Sequence, residues 1–359
     1  MTLNRVILAT GGTGGHIFPA LAVADELKSR NPGVEFLFMG GSGPEGDLAR
    51  GHGLEFAELP AKGVMGRGLT GVLGGAAWVA KALPKAMSKV RAFGPDVAIG
   101  FGGYAGFCPI LAASLLKIPT AVHEQNSVPG MTNKFLGGRV RRVFLSFPDY
   151  YKVFAPSKID VVGNPVRADI VATAERREGR TPGKRLLVLG GSQGAKPVND
   201  AIIEAVPVLL REDVVVVHQA GKRDEDRVRT AYEKAGADGE RVHGFIDDMA
   251  SEYVQADLVV CRSGASTVFE IAAAGVPAVF TPFPQATYDH QTVNAKAMVD
   301  AGGGVLVPQH EHMAGELVEM VLHLLGDAER LTEMGRAARG FAKPNAVKDI
   351  ASGLEALAA

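Results

Sequence analysis

At 359 residues the chain exceeds what one ordinary hydrophobic core organises and suits two domains. Its 47% apolar and 21% charged residues, with 45 glycines, exclude a disordered chain and describe an α/β protein rich in strand-to-helix turns. A net charge of −1 offers no global attraction to nucleic acid, so nucleic acid is not expected as a partner and any basic surface has to be a local patch.

The amino terminus passes directly into Val6-Ile7-Leu8-Ala9, an apolar run of strand type, without the h-region and cleavage site of a signal peptide, so export is not expected. Gly11-Gly12-Thr13-Gly14-Gly15-His16 follows, then Pro19 to Leu27 with helical spacing: strand, glycine turn, helix. A dinucleotide fingerprint built on Gly12 and Gly14 would need its third glycine where Ile17 stands, which disfavours a nicotinamide dehydrogenase. His16 stands at the mouth of the turn, and histidine is the side-chain type that can take up a proton near neutral pH, though histidines placed so also cap helices.

Glu35–Met39 reads as the next strand. Beyond it Leu69, Val72, Leu73 and Trp78 interleave with Arg67, Lys81, Lys85, Lys89 and Arg91. That pattern suits an anionic membrane surface, and it also suits a core helix with a solvated basic face. Val97–Ile99 is a strand, and the longest apolar stretch, Ala105 to Leu116, contains Pro109 and stops short of the ~20 residues that span a bilayer. Cys108 and Cys261 stand alone in apolar settings, which argues against a disulfide framework or thiolate metal site and fits a reducing compartment. Thr120–His123 and Val143–Leu145 close the first series of strands.

A boundary is expected near residue 165, within Val161 to Arg167, ahead of the charged, Gly/Pro-bearing segment Arg176 to Lys184. The opening grammar then returns as Leu186–Leu189, Gly190-Gly191-Ser192-Gln193-Gly194-Ala195 and a helical stretch from Val198 to Leu210. Strands are expected at Val214–Gln219, Leu258–Cys261 and Ala278–Thr281. Asp224-Glu225-Asp226 resembles a metal-binding Asp-x-Asp pair but lies in the alternating-charge run Lys222 to Arg229, a solvated helix face; no obligatory metal or other cofactor is expected, with a divalent cation at most assisting. The expected division is therefore 1–165, 166–340 and a helical tail 341–359, with packing of the tail on the first domain left open. Alternating strands and helices imply a parallel, helix-covered sheet in each half. Ligands of such sheets bind beyond the carboxyl ends of the strands, where glycine turns and helix N-termini hold phosphate.

Taken in order, GGTGGHIFPALAVADEL, FGGYAGFCPILAA, HEQNSVPGMTNK, GNPVR, GGSQGA, CRSGASTVFEIAAAGVPAV and DHQTVNA resemble the MurG family of UDP-GlcNAc-dependent transferases from about residue 5 to about residue 340. The resemblance implies the α/β GT-B fold, two Rossmann-like doubly wound parallel-sheet domains facing a deep cleft. It implies inverting transfer of GlcNAc from UDP-GlcNAc to the C4 hydroxyl of MurNAc in undecaprenyl-pyrophosphoryl-MurNAc-pentapeptide, lipid I, giving lipid II for peptidoglycan. Donor-binding residues implied are Thr13, Gly14, Gly15, Asn126, Arg167, Ser192, Gln193, Gly194, Ile246 through its backbone, Ala265, Ser266, Thr267, Val268, Glu270 on the ribose, His290 and Gln291. This chain carries His290 and Thr292 beside Gln291 where some members have a second glutamine. On the acceptor side the implied residues are Gly14, Gly15, Tyr104, Asn126 and Asn133, with Gln125 also lining the site. His16, Glu124 and His123 compete for the role of general base, His16 first. The family also implies peripheral attachment to the anionic cytoplasmic leaflet of the inner membrane, through Leu69, Val72, Leu73, Trp78, Lys81 and Lys85, and association with other cell-wall and division proteins. Rival readings are a transferase for another lipid, a UDP-GlcNAc 2-epimerase, and a non-catalytic UDP-sugar-binding scaffold.

Overall fold

The computed structural model describes residues 3–61, 68–191 and 194–359, with side chains inside the third helix described from Gly74 onward. The chain forms two compact units, Met1–Arg167 together with Lys343–Ala359, and Ala168–Ala342. In the first, β1 (Arg5–Ala9), α1 (Gly14–Arg30), β2 (Glu35–Gly40), α2 (Glu45–Gly51), β3 (Glu55–Glu58), α3 (Gly68–Phe93), β4 (Val97–Gly100), α4 (Phe107–Leu115), β5 (Thr120–Glu124), α5 (Met131–Gly137), β6 (Arg142–Leu145) and β7 (Ile159–Val161) follow one another. Their seven strands are parallel in the order β3-β2-β1-β4-β5-β6-β7, so the direction of winding reverses between β1 and β4.

Both faces of this sheet are covered, which is why its central strands read as unbroken apolar runs. Val6 and Leu8 of β1 pack with Phe36, Phe38, Ile99 and Ala121 on one face, while Ile7 and Ala9 pack with Leu37, Met39, Ala98 and Val122 on the other. The parallel register pairs Ile7 with Leu37 and with Ala98, setting each layer side by side across the strands.

The second unit repeats the plan with α6 (Ala168–Val171), α7 (Thr173–Arg176), β8 (Arg185–Leu189), α8 (Lys196–Arg211), β9 (Val215–Gln219), α9 (Glu225–Lys234), β10 (Val242–His243), α10 (Met249–Gln255), β11 (Leu258–Cys261), α11 (Ala265–Ala274), β12 (Ala278–Phe280), α12 (His290–Asp300), β13 (Gly304–Leu306), α13 (Met313–Leu325) and α14 (Ala328–Phe341). Its six parallel strands run β10-β9-β8-β11-β12-β13.

The last helix, α15 (Ala346–Ala358), belongs to the first unit and packs on α1. Ile350, Ala351 and Leu354 enter the core beside Leu21 and Ala24, and Arg30 at the end of α1 donates to Glu355, Ser352 and the carbonyl of Lys348, each at 3.0 Å. The outgoing chain at Gly163 and the returning chain at Lys343 touch. Gly163 holds φ +92°, and a Cβ there would stand 2.3 Å from Cβ of Lys343, so the position needs glycine twice over.

Four strands lie outside the sequence expectation: β3, β7, β10 and β13. All are sheet edges of two to four residues, with one flank unpaired and charged or half-exposed positions in place of an apolar run. The tail helix begins at Ala346 rather than at Phe341, because Phe341 closes α14 and Pro344 stands between the two helices.

Candidate active site

The turn after β1 sets the first half of the site. Gly12 adopts φ +107°, Thr13 caps α1 in an extended conformation, and the first turn of the 17-residue helix contains no acidic side chain, so no carboxylate of its own offsets the positive end of the helix dipole. Beside it runs the turn after β4, where Gly103 adopts φ +73°. A Cβ there would come within 2.1 Å of the carbonyl oxygen of Gly11, so only glycine lets the two turns approach at the point where the winding reverses. Tyr104 is half-buried in the same turn.

From the end of β5 the chain brings His123, Glu124, Gln125 and Asn126 to this place. His16 is half-exposed, and its Nδ1 lies 2.9 Å from Oε1 of the buried Gln125. The Gln125 amide nitrogen donates to the carbonyl of Phe101 at 3.0 Å and faces Nδ1 of His123 at 3.1 Å. Nε2 of His123 faces the carbonyl of Gly163 at 3.1 Å. Complete burial pushes the His123 pKa down to about 4; the hydrogen bond to Gly163 works the other way, and His16 adds to the lowering, so the ring is neutral at pH 7. Glu124 is also buried. Its carboxylate accepts the N–H of Asn126 at 3.0 Å, the N–H of Gly130 at 2.9 Å and the amide of Asn133 at 2.9 Å, and Asn133 reaches the carbonyl of His123 as well. His16, Tyr104, His123, Glu124, Gln125, Asn126 and Asn133 are thus gathered at the carboxyl ends of β1, β4 and β5.

In the second unit the turn after β8 backs onto the end of β9. A Cβ at Gly194, which has φ +77°, would stand 2.7 Å from the carbonyl of Ala220. Behind this turn a buried network fixes the start of α8: Asn199 donates to Ala220 at 2.9 Å and Asp224 at 2.6 Å, and accepts from His218, whose other ring nitrogen meets the Tyr232 hydroxyl. Asp224 is held by Arg227 at 2.6 and 2.7 Å and Glu225 by Arg229 at 2.6 Å, so these two carboxylates serve α9. Among the described residues no cluster of three or more potential metal ligands occurs. Ser192 and Gln193 lie outside the described residues.

Ala265, Ser266, Thr267 and Val268 form the first turn of α11, again without an acidic side chain. Glu270, one turn further, accepts from the Tyr253 hydroxyl at 3.2 Å. The N–H of Ile246 donates to buried Gln219 at 3.2 Å. Gln291 accepts the N–H of Phe283 at 3.0 Å through its side chain and the Ser263 hydroxyl at 2.8 Å through its backbone, while His290 Nδ1 faces the carbonyl of Thr287 at 2.8 Å. Arg262 donates to the carbonyls of Thr281 and Pro282 at 2.8 and 2.9 Å, fixing the loop that carries Phe283. Arg167 ends the first stretch of the other unit.

A separate surface lies on α3, α4 and α5 of the first unit. Trp78, Phe107 and Phe135 form a ladder with centroids 6.0 and 5.3 Å apart, Arg139 lies 4.3 Å over the Phe135 ring, and Leu115 and Met131 are exposed. Lys81 and Lys85 are exposed on α3, whose inward face is Ala82, Ala86 and Val90. Side chains of Leu69, Val72 and Leu73 lie outside the described residues. No helix among the described residues is long and apolar enough to cross a membrane.

Tyr253, Gln219, Arg262 and Phe135 were not legible as site residues. Each acts through a tertiary partner and lies in no glycine turn. The glycine turns themselves were legible because backbone geometry demands that residue there.

Fold and site together define a glycosyltransferase. The glycosyltransferase family 28 N-terminal domain matches residues 6–145 and its C-terminal domain residues 185–352. A crystal structure of Acinetobacter baumannii MurG superposes with a TM-score of 0.78 at 33% identity, covering 98% of this chain and 99% of that one, and the fold is GT-B. In Solidesulfovibrio magneticus, a UDP-N-acetylglucosamine–N-acetylmuramyl-(pentapeptide) pyrophosphoryl-undecaprenol N-acetylglucosamine transferase is 52% identical over 99% of both chains. An enzyme of the same name from Nitratidesulfovibrio vulgaris is 49% identical over 98% of this chain and 97% of its own. The chain belongs to this MurG family of N-acetylglucosamine transferases.

Proposed function

We propose that the chain transfers GlcNAc from UDP-GlcNAc to the C4 hydroxyl of MurNAc in lipid I, producing lipid II and UDP. His16 carries the mechanism. Its ring is half-exposed at the start of α1, Nδ1 is occupied by Gln125, and Nε2 has no partner among the described residues. As general base, Nε2 takes the proton of the C4 hydroxyl while that oxygen bonds to the anomeric carbon and the bond to UDP breaks on the opposite face, inverting the centre. Glu124 is the weaker candidate because three N–H donors already occupy its carboxylate, and buried, neutral His123 serves as support.

The first unit holds the acceptor through Gly14, Gly15, Tyr104, Asn126 and Asn133. The second holds UDP-GlcNAc. Its diphosphate lies at the starts of α8, with Gly194, and of α11, with Ala265 to Val268. Helix dipoles and backbone N–H groups offset the departing charge there. Glu270 takes the ribose hydroxyls, Ile246 the base, and Gln291 with His290 the sugar. Fixing Oε1 of Gln291 on Phe283 leaves its amide N–H groups to donate to sugar oxygens. The aromatic ladder with its basic fringe seats the enzyme on the anionic cytoplasmic leaflet where the lipid-linked acceptor resides, close to other cell-wall and division proteins.

UDP release by the purified chain, with and without a lipid I analogue and in a His16→Ala variant, tests this. Acceptor-dependent release with a β-linked disaccharide product, reduced at least about a hundredfold in the variant, is expected. Donor binding without UDP release in the presence of authentic acceptor would instead establish a scaffold.

A further inference from the structure

We infer that Gln125 is a positioning residue that holds the neutral His16 ring in its Nδ1–H tautomer and so keeps the Nε2 lone pair available for the acceptor proton; the inference rests on His16 being the base. The hydrogen bonds fix their own direction, because both ends of the chain are carbonyl oxygens, which only accept. Phe101 O, 3.0 Å from the Gln125 side chain, must face its NH2 group, and that orients the amide. The opposite end is then Oε1, so the His16 Nδ1 at 2.9 Å must carry a hydrogen and donate it. The second Gln125 N–H points to His123 Nδ1 at 3.1 Å, which therefore accepts, and the His123 proton sits on Nε2, facing Gly163 O at 3.1 Å.

The Ser146 hydroxyl, also 3.4 Å from His123 Nε2, donates to Oδ1 of Asn164 and so leaves that proton on His123. A neutral imidazole has one N–H, and free histidine prefers it on Nε2, the tautomer that cannot act as base at that atom. By binding Nδ1–H, Gln125 selects the other form. When the C4 hydroxyl gives up its proton, Nε2 gains it and the ring becomes an imidazolium that still donates through Nδ1 to Oε1. The amide neither gains nor loses a proton. Buried His123 is the passive end of the row: it orients the Gln125 amide without acquiring charge. Its anchor, Gly163, lies where the outgoing chain touches the returning chain at Lys343. The carboxylate in this cluster, Glu124, is kept off the row by its own three donors.

Two measurements on the full chain test the inference. In 15N-histidine-labelled wild-type protein, long-range 15N–1H spectra assigned with His16→Ala should show an unprotonated Nε2 and a protonated Nδ1 for His16 at neutral pH. A dominant Nε2–H form overturns the proposal. In Gln125→Leu, kcat should fall about 10- to 100-fold, with KM for UDP-GlcNAc changed less than about twofold and the His16 tautomer moving toward Nε2–H. Gln125→Glu keeps an acceptor for Nδ1–H but loses the two donors that Gln125 gives Phe101 O and His123 Nδ1. It should keep the Nδ1–H tautomer of His16 and lose less kcat than Gln125→Leu, and its negative charge should raise the acid limb of the kcat/KM profile by about one pH unit. Equal losses in both variants together with a raised KM would mean a merely structural role and would sink the inference. If Gln125→Leu does not fold, the wild-type spectrum alone decides. An active His16→Ala variant would remove the base assignment yet leave the tautomer result intact, so the two failures are distinct.

Discussion

His123 and His218 are both buried histidines satisfied by neutral hydrogen-bond partners, one behind the site in each unit. Burial holds their pKa values near 4 and 3, below the ~6.5 of an unfolded chain. The unfolded state therefore takes up protons that the folded state refuses. The sign follows: stability is complete above about pH 6.5 and is lost as pH falls from there toward 4 and 3, at up to about 1.4 kcal/mol per pH unit for each residue. Urea unfolding measured from about pH 8 to about pH 5 should give a plateau and then a decline. His218→Gln should remove one proton's worth of slope from the second unit even where it lowers absolute stability; an unchanged slope would mean that His218 is protonated in the folded state. This residue-scale behaviour was opaque in the sequence, since neither histidine lies in a pattern that reveals Tyr232, Asn199 or Gly163 as its partner.

At the scale of elements, the docking of α15 separates apolar burial from surface charge. Leu354 is fully buried between α1 and the sheet, whereas the Arg30–Glu355 pair is about one-third exposed. Leu354→Ala should cost about 2–5 kcal/mol in the unfolding transition of the first unit. Arg30→Ala should cost no more than about 1 kcal/mol, because solvent screens the pair. Comparable losses would show that the polar clamp, not the core, fastens the helix. Central strands such as Val6–Ala9 and Leu258–Cys261 were readable because cover on both faces leaves an apolar signature. Edge strands such as Glu55–Glu58 were not, since half their surroundings are solvent and their pairing comes from a neighbour distant in sequence. The helical tail was readable as a helix, but its partner was not: an amphipathic stripe records that a face is buried and not against what.

At the scale of the whole molecule, an enzyme acting on a lipid-linked acceptor need not contain a spanning helix if one surface can hold it at the bilayer. The sequence pointed to the run around Trp78. The structure adds Phe107 of α4, Phe135 of α5 and Arg139 just beyond it, which meet Trp78 of α3 in one ladder only after folding. If this surface enters the headgroup region, Phe135→Ser should weaken sedimentation with vesicles containing anionic phospholipid by about tenfold, the value of withdrawing roughly one aromatic ring from an apolar setting. Arg139→Gln should reduce the same binding mainly at low salt, since its attraction to the leaflet is screened within ~8 Å at physiological ionic strength. Turnover of a short-chain, water-soluble acceptor should be unchanged in both variants, while turnover of the full-length lipid acceptor in vesicles falls with binding. Equal loss on both acceptors would place the defect in the folded site instead, and unaltered vesicle binding would show that this aromatic surface faces something other than lipid.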